Sequence, residues 1–258
     1  MTVETTELNV QPETLEVVMG IPITNAMLTQ VLVTIILLVV SLSVYLLTKG
    51  IKNPTKLQVV FEMIVLLSWD FIEKITGNRK VAKVILPIIG TLFIYIATAN
   101  LVTTVFPLLA AFTYDGTSMF RTPTNDINAT VSMAVAMVLL SHMFSIKEYN
   151  FFAHVNKYIR IGQLVKGFKG GVEGVIFGVV EVFVGILDLI SEFAKVVSLS
   201  LRLFGNMFAG ELLIGVLLGL FALFLPIPVI FLGLLSGFLQ AIVFGALSSS
   251  YISLAVKH

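Results

Sequence analysis

The chain has 258 residues, of which 57% are apolar and only 12% charged, with a formal net charge of +1 and a mean hydropathy of +1.02. A soluble domain carries about twice that share of charge, and a nucleic-acid binder needs a basic stripe, so both classes are excluded and no nucleic-acid partner is expected. With no cysteines and three dispersed histidines, His142, His154 and His258, neither thiol chemistry nor a metal centre is expected, and the chain reads as an all-α, multi-pass membrane protein.

Residues 1–25 carry Glu4, Glu7, Glu13 and Glu16 and no Lys or Arg. A secretory signal needs a basic start, so this stretch reads as an exported acidic N-terminal tail. Residues 26–258 read as a single transmembrane domain. Crossing about 30 Å of hydrocarbon takes roughly 20 helical residues. Five apolar runs reach that length, near 27–48, 84–112, 128–146, 172–225 and 228–255. A sixth, 57–73, is interrupted by Gln58, Glu62, Asp70 and Glu73. Glu62, Trp69 and Glu73 fall on one side at helical spacing, which suits a helix lying in the interface.

Basic residues set the orientation. Lys49, Lys52 and Lys56 follow the first run, and Lys74, Arg79, Lys80 and Lys83 follow the amphipathic one, so both clusters belong inside. The loop 113–127 holds Asp115 and Asp126 against Arg121 alone and faces outward. Lys147, Lys157, Arg160, Lys166, Lys169 and Lys257 are again inside. Thus the N-terminus is expected outside and the C-terminus in the cytoplasm, which with the missing basic leader suits a bacterial plasma membrane. The run 172–225 has no turn signal before Leu225-Pro226-Ile227-Pro228. As one helix it would be about 80 Å long, so it must be strongly tilted. The alternative, a mid-run turn giving six crossings, has no loop-like residues near 195–206. The expected architecture is five transmembrane helices plus one interfacial amphipathic helix, the last two spans forming a long tilted hairpin.

Seven ionisable residues lie in 172–225: Glu173, Glu181, Asp188, Glu192, Lys195, Arg202 and Glu211. Each costs at least about 2.5–3.5 kcal/mol at mid-membrane, so they mark a transport path or a paired interior. Glu181, Asp188, Lys195 and Arg202 are each seven apart and stay near one face. Ser198 and Asn206 flank Arg202 at four residues on that face. Glu211 is nine past Arg202 and points to the opposite side. Two aqueous paths reached from opposite sides of one helix fit this arrangement. Glu192 and Lys195, or Asp188 and Lys195, can instead pair structurally. Arg202 has no acid at i±3 or i±4, so its partner must come from another helix or another subunit. In the last run Gly233, Gly237 and Gln240 share a face, and Gly174 and Gly178 form a similar small-residue pair in the long one.

The run Ser198-Leu-Ser-Leu-Arg202-Leu-Phe-Gly-Asn206-Met-Phe-Ala-Gly-Glu211 resembles the signature of the subunit a family of F-type ATP synthases. Leu239-Gln240-Ala-Ile-Val-Phe244 is similar to that family's last-helix motif, and Thr124-Asn-Asp126-Ile-Asn128-Ala-Thr130 to its outer loop and fourth helix. Asn100 with Pro107 suits the preceding helix. The resemblance implies a non-catalytic stator that provides two offset proton half-channels against a rotating c-ring. Ion flow is then coupled to rotation and ATP synthesis in a separate soluble ATPase head, with b-type peripheral stalk subunits and membrane lipid as further partners. It puts the essential charge at Arg202, the outer half-channel at Glu211, Asn206 and Gln240, and the inner one at Asp188 with Ser198. Glu192 and Lys195 are further candidates. Some family members carry a histidine beside the outer glutamate; Gly233 stands there in this chain. No cofactor is expected.

An ion-coupled secondary transporter with a midplane charged site is the alternative. Transporters of that kind show internal repeats, whereas here the charges crowd into the second half. No phosphate-binding glycine loop or nucleophile–base pair suggests an enzyme.

Overall fold

The computed structural model describes residues 12–48, 56–105, 112–114, 117–158, 171–220 and 226–257. A β-hairpin comes first, β1 Thr14–Val18 against β2 Ile21–Thr24. Its two-residue turn is Met19-Gly20, both with positive φ (53° and 84°). That is the turn whose twist matches paired strands. Part of the expected acidic tail is therefore ordered strand, and α1 begins directly after it at Asn25.

Helix α1 spans Asn25–Thr48, α2 Lys56–Thr76, α3 Arg79–Val105 and α4 Ile127–Tyr149. A short α5, Phe151–Tyr158, follows. The long α6 runs Gly171–Leu220 and α7 Pro226–Lys257. Among the described residues five segments are long and apolar enough to cross a membrane: Asn25–Leu46, Arg79–Val102, Ile127–Tyr149, Gly174–Leu217 and Ile227–Val256. The run 172–225 is one helix as far as Leu220, without the mid-run turn that would have made six crossings. Helix α2 is not among the five. It is longer at both ends than the expected 57–73, and Trp69 Nε1 donates to Glu73 Oε2 at 3.2 Å on its polar side.

One expected span is corrected. The run 84–112 overshoots at its C-terminal end, because Phe112 is outside any helix and leads into a second small hairpin, β3 Thr113–Tyr114 and β4 Thr117–Ser118. Residues 106–111, with Pro107, lie outside the described residues. Apolar character alone carried the expected span as far as Phe112, since hydropathy marks burial or lipid and not helical structure. At the other end α3 starts at Arg79, five residues early, because the α2–α3 turn supplies the caps. Gly77 takes a positive φ of 64° and its N–H bonds to Glu73 O at 2.8 Å, while Asn78 Oδ1 accepts the Lys80 N–H at 2.9 Å. A left-handed glycine closing one helix and an asparagine opening the next is a common pairing of caps.

Two compact units can be distinguished. One holds residues 1–130 and 201–249, the other 131–200 and 250–258. In the first, polarity is inverted relative to a soluble protein. Thr29, Asn100, Thr124, Asn125 and Gln240 are buried, while Val31, Leu38, Leu42 and Leu46 are more than half exposed. In the second, Phe177, Phe183, Leu189 and Phe193 of α6 are likewise exposed, Phe193 by 70%. Apolar surface outward and polar groups inward is what a hydrocarbon solvent selects.

Candidate functional site

In the first unit the centre is a turn of 3-10 helix, Pro123–Asn125, buried at all three residues. Proline fixes its first φ. The turn then aims two neighbouring side chains at two different helices. Thr124 Oγ1 donates to Asn100 Oδ1 of α3 at 2.6 Å, and Asn100 Nδ2 donates to the Gly237 carbonyl of α7 at 3.1 Å. The next residue, Asn125, donates through Nδ2 to Glu211 Oε2 of α6. The Arg121 guanidinium is near enough to act on the same carboxylate, and its backbone N–H is tied to Thr29 Oγ1 at 3.1 Å. Asn206 lies just over one turn before Glu211. It is bonded to α7 twice, receiving the Ser236 hydroxyl at 2.8 Å and donating to the Ser236 carbonyl at 3.4 Å.

These bonds explain the glycine at 237. A Cβ there would stand 3.0 Å from Asn100 Cβ, tighter than ordinary contact, so a side chain would push α3 and α7 apart. Overpacking of this kind costs about 1–3 kcal/mol. The expected result of Gly237→Ala is a lower thermal midpoint of the purified complex with Asn100 displaced; an unchanged midpoint would show that the close approach matters little.

Arg202, by contrast, is exposed on α6. Leu201, 51% exposed, lies beside it. Gln240 is buried within α7, 7% exposed. So within the first unit Glu211 and Asn206 are engaged by neighbouring elements, Gln240 is enclosed, and Arg202 is at the surface.

In the second unit the structure brings Glu192 and Lys195 together. Lys195 Nζ stands 2.6 Å from Glu192 Oε1, and it also lies over the Tyr251 ring of α7 at 5.2 Å. Tyr158 of α5 donates to Glu192 Oε1 at 3.3 Å. Burial pushes the Tyr158 phenol pKa up, and the Glu192 and Asp188 charges push it further, so it remains an O–H donor at any working pH. Asp188 is half-buried and Ser198 exposed. Among the described residues no group of three or more His, Cys, Asp or Glu is placed to hold a metal ion.

Several contributors carry no periodic signal in the sequence. Asn125 and Arg121 reach Glu211 from a loop, and Ser236 meets Asn206 across 30 residues. The signals that point toward the loop are a proline-led polar run directly before a span and the resemblance of residues 124–130 to the family's outer loop.

Five long apolar helices among the described residues, with a half-buried carboxylate tethered by a loop asparagine and an exposed arginine on an apolar helix, define a membrane protein built around intramembrane charge. Comparison with known proteins narrows the class. The family model for the ATP synthase A chain matches residues 27–253. A relative in Prosthecochloris aestuarii, ATP synthase subunit a 1, is 30% identical over 211 residues, covering 82% of this chain and 79% of that protein. An ATP synthase subunit a in Desulforamulus reducens is 34% identical over 222 residues, covering 81% of this chain and 71% of that protein. The chain belongs to the ATP synthase subunit a family. It is accordingly a component of a multi-subunit ATP synthase, and the transporter alternative is not favoured.

Proposed function

We propose that the chain is the stator side of the proton path, and that its own residues carry no ATP chemistry. The observation that carries this reading is the contrast on α6. Arg202 is exposed among apolar residues, while Glu211, nine residues on, is drawn to Asn125 in the protein interior. A group facing out of an apolar helix suits a partner that passes by; a group tethered inside suits a path that water reaches.

Protons from outside would reach Glu211, with Asn206 and Gln240 lining the same path. A passing c-ring carboxylate must be neutral in lipid and charged at the stator. Arg202 keeps its proton at any accessible pH and favours the ionised form of an adjacent acid. The same fixed charge keeps protons from running straight between the two half-channels. Asp188, with Ser198, then receives protons toward the cytoplasm. A potential of about 100 mV supplies roughly 2.3 kcal/mol per charge, so several transfers serve each ATP. The basic-residue distribution supports an outside N-terminus, a cytoplasmic C-terminus and a bacterial plasma membrane. The b-type stalk subunits and the soluble head complete the assembly.

The test is purification in mild detergent. The chain is expected to arrive with a ring of small hairpin proteins, stalk subunits and a soluble ATPase. Recovery as a lone protein or homo-oligomer that still moves ions would sink the proposal.

A further inference from the structure

We infer that His142 is a proton-carrying residue on the cytoplasmic side of the path, with Glu192 as its positioning carboxylate. The inference rests on the inner half-channel reading above and deepens it. His142 and its neighbour His154 have no role in that reading, and they lie 12 positions apart in sequence.

The fold brings them together at the end of α4. Asn150 takes a left-handed conformation, φ 70°, which asparagine tolerates better than most residues. Its carbonyl accepts the His154 N–H at 3.1 Å. This turns α5 back along α4, so that His154 Nδ1 lies 2.9 Å from Ser145 Oγ. The rings of His142, His154 and Tyr158 then meet edge to face, with centroids 5.2, 5.9 and 5.3 Å apart. All of this lies within one unit of the chain, together with Glu192, Lys195 and Asp188 of α6.

The two Glu192 oxygens are used differently. Oε1 takes both donors, Lys195 Nζ and Tyr158 OH. Oε2 is buried and has no hydrogen bond, and His142 Nε2 faces it at 3.8 Å. That distance is too long for a hydrogen bond and short enough for an ion pair once the imidazole is charged. The His142 side chain is 24% exposed and that of Glu192 16%. The histidine is therefore the more accessible member, and the carboxylate lies behind it.

The groups that face this cluster come, among the described residues, from four helices. Helix α6 brings Glu192, Lys195 and Asp188; α5 brings His154 and Tyr158; α4 adds Ser145; and α7 reaches the cluster through Tyr251 beneath Lys195. Lys195 and Tyr158 both engage Oε1 of Glu192, which leaves Oε2 turned to His142. The part assigned to Glu192 is to stabilise a proton on its neighbour. In the transfer, an N–H bond forms at one His142 nitrogen as the O–H bond of a donor breaks, the donor being hydronium or the carboxylic acid at Asp188. Glu192 Oε2 holds the imidazolium. The N–H bond at the other nitrogen then breaks and the proton passes to water on the Lys147 side. Histidine is the side chain whose ordinary titration lies near neutral pH, so the step runs in either direction.

A purely structural cluster would clasp α5 onto α4 and α6 and move no protons. The experiment uses the intact complex with His142→Gln and, separately, His142→Asn. Each is placed in vesicles with the cytoplasmic face outward. ATP-driven pumping is followed over about pH 6 to 9, with and without added imidazole. The expected loss is about a hundredfold, the low side of what a positioned acid–base group contributes, with a flattened pH profile and recovery when imidazole is supplied. Unchanged pumping, a loss that imidazole leaves untouched, or failure of both variants to assemble would overturn the inference. Arg202→Ala run in parallel separates the two levels. If it pumps normally, the stator reading falls; if it is inactive while both His142 variants are normal, only the role of His142 falls.

Discussion

Arg202→Ala is expected to abolish proton-driven ATP synthesis and ATP-driven pumping while the complex still assembles. The side chain is exposed on an apolar helix surface, so removing it leaves no cavity in the core. What is lost is the charge offered to a passing carboxylate. Holding an ionised group at membrane depth costs about 2.5–3.5 kcal/mol. At 1.36 kcal/mol per pKa unit, that is about two orders of magnitude in the ionised fraction. The ring carboxylate would stay protonated past the stator and rotation would carry no net proton. The barrier between the half-channels would go as well, so passive leak should rise. Arg202→Lys is expected to fail nearly as badly. A lysine ammonium shifts its pKa readily when desolvated and can hand on its own proton. Inverted vesicles with a pH-sensitive dye measure both effects. Near-normal synthesis in either variant would remove the stator assignment.

How much of this was legible depends on the kind of signal each residue carries. Helix α6 was legible because its run has no turn residue before Leu225-Pro226-Ile227-Pro228, and a helix with nothing to break it continues. Arg202 and Glu211 stood out because ionisable residues in apolar sequence are costly wherever they face. The opposite facing of the two followed from helical geometry alone, and the surface position of Arg202 and the inward tether of Glu211 agree with it. The hairpin of residues 14–24 was hidden by its composition. Glutamates made it read as a tail, and the Met19-Gly20 turn is a weaker signal than an Asn-Gly pair. The overshoot at Phe112 has a related cause, since apolar content marks burial or lipid and does not show where a helix ends.

The tertiary contacts were the least legible. Asn125 and Glu211 are 86 residues apart, and His142 and Glu192 are separated by a turn, a short helix and a further segment. No periodicity links such positions. Asn125 sits in a run that resembles the family's outer loop, yet its type alone cannot tell a tether from a helix cap. Likewise Lys195 and Glu192 could be weighed only as a pair or a path. The 2.6 Å contact supplies the pair, and the second oxygen of Glu192 then raises the question of His142.

Glu211→Gln is expected to slow proton uptake from outside by about two orders of magnitude, the lower end for a positioned acid–base group, without dissociating the complex. Glutamine keeps the length and one carbonyl oxygen. Asn125 Nδ2, which now donates to Glu211 Oε2, can donate to that oxygen, so the loop stays docked. What glutamine cannot do is take up and release a proton. Gly233 of α7 has no side chain, so no ring nitrogen stands at that position to substitute. Asn125→Leu separates tether from carrier. It leaves the carboxyl group in place but removes its donor, a loss of about 1–3 kcal/mol for a buried polar group left unsatisfied. Thr124 still reaches Asn100 at 2.6 Å, which keeps the turn against α3. The order expected from proton flux in reconstituted vesicles is wild type fastest, Asn125→Leu intermediate and Glu211→Gln slowest. Equal flux in Glu211→Gln and wild type would make the carboxylate a structural anchor. A greater loss in Asn125→Leu than in Glu211→Gln would move the essential function from the carboxyl group to the loop that holds it.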